Sequence, residues 1–216
     1  MNWQRATTDE KKSERKIAIY EATLTLFKQK GYDKVSFNGI ASQAGFTKSN
    51  MYRYFSSKEE IFLSIFADLF QSWFEDIFAT LKSQPQNIEA ADFAKQWTKS
   101  YAAHQQFLDL TPILFTSLES NSAYEQLLDF KTLSLDLLYQ LAVEISRIYP
   151  ALQGEKPFQF LTLSFAATAN YWAAQTQQNE ALEKIYQLDQ FQALKPNFEK
   201  SLSDSITIII KGLKAD

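Results

Sequence analysis

Apolar residues along this chain recur at helical spacing rather than alternating as in a strand. Ile17, Tyr20, Leu24 and Phe27 fall at i, i+3, i+7 and i+10, with Ala22 and Leu26 widening the stripe. They predict a helix over residues 9–30. Gly31 follows at the C′ position, where glycine enters the left-handed region at little cost. Ser36 can cap a short helix to Ala44 whose inner face is Phe37, Ile40 and Ala41. Gly45 breaks it. Thr47 can cap a third helix to Phe55, with Met51, Tyr54 and Phe55 as its apolar contacts. Ser57 and Glu60 have capping-box spacing ahead of a strongly apolar run. That run places Ile61, Ile65, Leu69, Phe70, Trp73, Phe74, Ile77 and Leu81 on the inner face of a long helix ended by Pro85.

The same period continues to the carboxy terminus. It predicts helices near 88–105, 108–119, 122–149, 157–178 and 192–213. Pro112 falls early in the second of these, and Pro150 stops the third. Pro157 and Pro196 suit first-turn positions. The expected fold class is therefore all-α: three amino-terminal helices followed by about six more. The expected boundary lies near Ser57, dividing residues 1–57 from 58–216. Only five Gly and five Pro occur in 216 residues, too few for the turns of a many-stranded sandwich or barrel.

Charge sharpens this division. The first 60 residues carry eleven Lys and Arg against seven Asp and Glu; the remaining 156 carry eleven against eighteen. A basic amino-terminal quarter on an acidic body suits a polyanion-binding module joined to something else.

The chemistry concentrates in SFNGIASQAGFTKSNMYRYF, residues 36–55. Two short helices joined through a glycine turn form a helix-turn-helix pattern. Ala41 and Ala44 permit close crossing, while Ile40, Phe46 and Met51 pin the second helix to the first. Its outward side then presents Thr47, Lys48, Ser49, Asn50, Tyr52 and Arg53, and no acid occurs between Asp33 and Glu59. Such a face can enter a major groove and donate to phosphates and base edges.

The segment Ile19–Phe62 resembles the amino-terminal domain of the tetracycline-repressor (TetR) family of transcription regulators. The resemblance rests on Ala22, Phe27, Lys30-Gly31-Tyr32, Ser36, Ile40-Ala41, Ala44-Gly45, Tyr52, Tyr54-Phe55 and Ser57-Lys58-Glu59. Gly39, Phe46 and Asn50 depart from the usual pattern, and the glycine costs helix propensity of about 1 kcal/mol. The resemblance implies three helices for DNA, about six for ligand and dimer, and derepression by a small molecule. It implies backbone-phosphate contacts from Ser36, Thr47, Tyr52 and Lys58. Lys48, Ser49 and Asn50 become base-proximal, and Arg53 suits either role. Farther on, Pro112–Lys131 is similar to a segment of some family members.

The body carries 18 Phe, 10 Tyr and 4 Trp together with the first domain, enough to line an aromatic cavity as well as a core. A mostly apolar pocket is expected among the long helix and those at 88–105, 108–119 and 157–178. Its candidate liners are Phe74, Phe78, Trp97, Tyr101, Phe115, Glu119 and Trp172, with His104 and Asn170 as polar contacts. The last two predicted long helices suit a two-fold interface. Ala166, Ala167, Ala169, Ala173 and Ala174 allow close approach, and Ile206, Ile208, Ile209, Ile210 and Leu213 are too apolar all round for a surface helix.

These patterns imply a homodimeric, ligand-responsive DNA-binding repressor acting on a palindromic duplex, with a largely apolar or aromatic effector. The alternative is an interaction protein or coactivator of this fold that does not bind DNA; the intact basic face argues against it. An enzyme is disfavoured. There is no Cys, His104 is the one histidine, and no metal cluster or glycine-rich phosphate loop is evident. No metal, cofactor or catalytic residue is expected. The absence of thiols, of a secretory h-region and of an apolar run of the roughly 18–20 residues that span a bilayer implies a cytoplasmic protein without a membrane partner.

Overall fold

A computed structural model describes residues 3–177 and 179–215, with side chains from Lys11 onward, and all regular elements among them are helical. They divide into two compact units. The first comprises Met1–Phe66 with Ser117–Phe130, and the second Ala67–Thr116 with Lys131–Asp216.

The first unit contains α1 (Trp3–Lys30), α2 (Phe37–Gln43), α3 (Lys48–Met51) and the opening of α4 (Lys58–Lys82). Helix α1 begins six residues before the position that the apolar pattern predicts. Its buried stripe also differs in phase: Ile19, Ala22, Thr23 and Leu26 are buried, whereas Ile17 is 53% exposed. Thr23 tolerates burial because its hydroxyl donates to the Ile19 carbonyl at 2.7 Å. The core closes over α1 with Ile40, Met51, Phe55, Ile61 and Phe62, all buried. Phe62 meets Phe27 and Tyr32 edge-on, at centroid separations of 5.8 and 5.0 Å. Glu60 completes the entry to α4, but reaches one residue farther back than a standard capping box. It accepts from the Ser56 N–H and hydroxyl, while Ser57 Oγ accepts from the Glu60 N–H. The later segment joins this unit through Phe130, edge-on to Phe66 at 5.7 Å, and Gln126, which donates to Ser56 Oγ at 3.3 Å.

The second unit holds the rest of α4, α5 (Ala90–Ala102), α6 (Gln105–Leu110) and most of α7 (Tyr124–Ile148). It continues with α8 (Lys156–Thr176), α9 (Glu180–Tyr186) and α10 (Phe198–Ala215). The helix expected over 108–119 does not form as one piece. After α6 come a 3₁₀ turn at Thr111–Ile113, a π turn at Leu114–Leu118 and another 3₁₀ turn at Glu119–Asn121. Pro112 lacks an N–H and its ring opposes the carbonyl four residues back, so the α register breaks there. The helix expected from residue 192 starts instead at Phe198. Asn197 accepts from the Lys200 N–H at its cap, and Pro196 stands just before the cap rather than in the first turn. Pro157 does occupy the first turn of α8.

An aromatic core fills this unit. Trp73 stacks on Tyr101 at 4.6 Å and meets Trp97 edge-on at 5.6 Å, while Phe93 packs on Trp97, Tyr149 and Phe160. Helix α10 lies against α5 and α8 and buries Phe198, Leu202, Ile206 and Ile210, a spacing of four that makes one face. Of the other residues expected to be buried there, Ile209 and Leu213 are half-buried and Ile208 is 69% exposed. Arg147 ties the end of α4 by donating to the Leu81 and Gln84 carbonyls at 2.7 and 3.0 Å. No helix among the described residues is long and apolar enough to cross a membrane.

Candidate DNA-binding interface

Short helices need anchored ends, because few of their backbone groups bond internally. Ser36 and Thr47 supply those anchors. Ser36 Oγ accepts from the Gly39 N–H at 3.1 Å, and Thr47 Oγ1 from the Asn50 N–H at 3.3 Å. A Cβ at residue 39 would lie 3.1 Å from Ser36 Oγ, so Gly39 leaves the cap uncrowded at its cost in helix propensity. Gly45 has φ 74°. The Phe46 N–H reaches back to the Ala41 carbonyl at 2.8 Å and the Gly45 N–H to Ser42 at 3.2 Å, the Schellman arrangement that closes α2 and turns the chain into α3.

The α-helical part of the recognition segment is shorter than expected. It spans Lys48–Met51, and the chain tightens through Tyr54, the Arg53 N–H bonding to Asn50 O and the Tyr54 N–H to Met51 O. Met51 is wholly buried and Phe55 nearly so, which fixes the segment from below. Thr47, Lys48, Ser49, Asn50, Tyr52 and Arg53 are all exposed. Tyr52 is propped rather than free: Phe37 lies under its ring at 5.1 Å and the Lys48 ammonium is 5.9 Å from its centroid. The spacing of 37 and 52 gave no local sign of that support. Ser36 is exposed beside this face.

Lys58 stands differently. Its ammonium donates to the carbonyls of Tyr32 and Val35 at 3.3 and 3.1 Å and lies 4.2 Å from the Tyr32 ring centroid. It ties the start of α4 to the loop preceding α2. Burial, then the charge of Glu59, pushes the Tyr32 hydroxyl above its ordinary range, so it stays protonated and donates to Glu59 Oε1 at 3.3 Å.

The chain matches the family described as "Bacterial regulatory proteins, tetR family" over residues 19–65, and "Tetracyclin repressor-like, C-terminal domain" over residues 67–216. The chain belongs to the TetR family. It is a DNA-binding transcriptional regulator. A stretch of 58 residues is 40% identical to YfiR of Bacillus subtilis (strain 168), described as an uncharacterised HTH-type transcriptional regulator; it covers 27% of this chain and 28% of that protein. A crystal structure described as a TetR-family transcriptional regulator from Syntrophomonas wolfei shares the fold at TM-score 0.60 and 15% identity, covering 95% of this chain and 97% of that one. The fatty acid degradation regulator FadR from Bacillus halodurans does so at TM-score 0.54 and 15% identity, covering 93% and 94%.

In this TetR-family chain the candidate effector-contacting residues have different immediate surroundings. Trp97 and Tyr101 are buried together in the aromatic core, at a centroid separation of 6.3 Å. Phe74 and Phe78 stack on each other at 5.0 Å. His104 Nε2 lies 2.8 Å from Asp76 Oδ2, and Trp172 donates to Asp109 Oδ1 at 3.0 Å. Phe115 is 58% exposed, edge-on to Phe165, and Asn170 is exposed on α8. Glu119 falls in the first compact unit, whereas the others fall in the second. What the sequence did not signal is a set of buried polar atoms without hydrogen-bond partners: Trp97 Nε1, Thr98 Oγ1, Tyr149 OH and Gln96 Oε1.

Proposed function

We propose that this regulator is a homodimeric repressor that holds a palindromic operator and leaves it when a small, largely apolar or aromatic effector binds. DNA recognition belongs to residues 1–57 and effector binding and dimerisation to residues 58–216. It acts in the cytoplasm alongside its DNA. The observation that carries the reading is the run of exposed donors Lys48-Ser49-Asn50, Tyr52 and Arg53 on a capped, glycine-turned segment. Ser36, Thr47 and Tyr52 hydroxyls position the protein on phosphates, Lys48, Ser49 and Asn50 approach base edges, and Arg53 serves the flank. Lys58 has one ammonium proton beyond the two its carbonyl bonds use, and directs it to the backbone.

Dimerisation is supported by the exposed side of α8 and α10, where Leu163, Ala166, Ala173 and Ile208 offer an apolar surface. Effector binding is supported around Phe93, where the partnerless Trp97 N–H and Tyr149 hydroxyl adjoin aromatic walls. A buried unpaired donor costs roughly 1–3 kcal/mol, which a ligand acceptor would recover.

Titrating the protein with duplexes from its own upstream region tests this. Raising salt from about 50 to 200 mM should weaken binding ~10³–10⁵-fold for about 6–10 phosphate contacts. No binding at low salt would overturn the reading. Light scattering should give a dimer, and Ile208→Asp a monomer.

A further inference from the structure

The connection between α8 and α10 carries an apolar face that its own chain leaves uncovered. None of residues 179–197 is buried, although Leu182, Ile185, Tyr186, Leu188, Phe191 and Leu194 lie among them. Leu182, Ile185 and Tyr186 stand at i, i+3 and i+4 on α9 and share one side of it. Leu188, Phe191 and Leu194 follow at intervals of three along the 3₁₀ turn Asp189–Leu194, a period that aligns them. Asn179 fixes the start of α9 by accepting from the Ala181 and Leu182 N–H groups at 3.0 and 3.2 Å, so the segment is an ordered arm. Between α9 and the end of α8 lies a space of about 800 Å³ with polar walls, among them Gln175, Thr176, Glu180, Glu183 and Gln187. The apolar side of α9 is therefore not folded back on α8. Both ends of the arm are held at that end of α8: the Phe198 N–H donates to Gln175 Oε1 at 3.2 Å, and the Phe198 ring meets Trp172 edge-on at 5.0 Å. At the opposite end of α8 is a mostly apolar groove of about 570 Å³ lined by Gly154, Glu155, Phe158, Gln159, Thr162 and Leu163. Exposed Ala166, Asn170 and Ala173 lie between groove and arm.

We propose that the arm is exchanged between two copies of this chain, its apolar side seated in the groove at the start of the other copy's α8. Helix α8 has 21 residues and is roughly 30 Å long, so a protomer's arm leaves it far from its own groove. A two-fold axis across α8 near Ala166 reverses one α8 on the other. Each arm then meets the partner's groove, and small residues occupy the crossing where the helices come closest. One operation covers two apolar surfaces that the single chain leaves in water. The exchange rests on the homodimeric reading and deepens it, assigning much of the hold between copies to a segment outside the paired helices.

The chain has no cysteine, which makes cross-linking a clean test. In the exchanged dimer the two copies of Gln159 lie roughly 20 Å apart, and the two copies of Leu188 farther still. With a bismaleimide too short to span that distance, Leu188→Cys with Gln159→Cys should give covalent dimers on a denaturing gel, and either cysteine alone should not. A link formed within one chain would place the arm on its own body and overturn the exchange. A second measurement avoids reliance on one pair. Leu188→Ser with Leu194→Ser should leave far-UV circular dichroism unchanged, since both residues are exposed in the protomer. It should raise the dimer dissociation constant, read by sedimentation over a dilution series, by about 10²-fold or more. Gln187→Ser, on the polar side of the arm, should leave that constant as in wild type. If the double serine variant dimerises as tightly as wild type while Ile208→Asp dissociates, the dimer stands and the exchange falls. A wild-type monomer at micromolar concentration would overturn both.

Discussion

The two compact units hold their characteristic side chains in opposite ways. In the first, the residues proposed to meet DNA are exposed, on and beside helices of seven and four residues kept in place by caps and one glycine turn. In the second, the distinctive residues are aromatic and buried, on longer helices that interlock ring against ring. A surface built to meet a polyanion can be specified by local hydrogen bonds, each a few residues long. An aromatic interior is specified by packing between distant segments. The first unit therefore fails one contact at a time, and the second as a whole.

The largest expected effect lies in the aromatic core. Trp97 is 1% exposed and touches Trp73, Phe93, Tyr101 and Phe160. Trp97→Ala should cost about 3–5 kcal/mol of unfolding free energy, measured by urea denaturation. Trp97→Phe should cost less, because it also deletes a buried N–H that has no partner. A smaller loss from Trp97→Ala than from the cap substitutions below would end the contrast between the units.

Next comes the turn. Gly45 has φ 74°, and a Cβ there would meet nothing within 4 Å, so any penalty belongs to the backbone alone. Gly45→Ala should cost roughly 1–2 kcal/mol. Calorimetry checks this, with binding to an operator duplex falling more than to a random one because α3 is re-aimed.

How far each unit was legible in the sequence follows from the same contrast. Ser36, Thr47, Ser57 and Gly45 announced themselves because a cap or turn acts on residues within four positions. The phase of the α1 stripe was not legible. Apolar residues fall on several sides of the helix, and the folded chain buries Ile19 and Leu26 while leaving Ile17 exposed. The carbonyl bonds of Lys58 were not legible either, because their acceptors lie 23 and 26 residues earlier, beyond any local pattern. The broken helix at Pro112 and the delayed start of α10 are boundary effects of proline and asparagine that periodicity smooths over. In the second unit, aromatic residues were rightly numerous but indistinguishable. Spacing cannot tell Trp97 in the core from Phe115 in solvent.

The cap itself is a smaller lever. Thr47→Ala removes the acceptor for the Asn50 N–H and should cost about 1 kcal/mol by thermal or urea unfolding. Thr47→Ser should recover most of it. If neither moves stability, the four-residue α3 is held from below by Met51 and Phe55 rather than by its end.

Asn50 should show the smallest effect on folding and the sharpest effect on DNA. Its side chain is exposed; its backbone N–H, not its amide, serves the Thr47 cap. Asn50→Ala should therefore change stability by no more than about 0.5 kcal/mol. The carboxamide pairs a donor with an acceptor, the complement of an adenine edge in the major groove, and such a pair is worth roughly 1–3 kcal/mol of discrimination. Binding to the operator should weaken by that amount while binding to scrambled duplex stays nearly constant. Tyr52→Phe, which loses a hydroxyl that carries no base information, should instead weaken both duplexes alike. Equal losses on both duplexes for Asn50→Ala would move it to the positioning class. Sequence readout would then have to lie with its two exposed neighbours, Lys48 and Ser49.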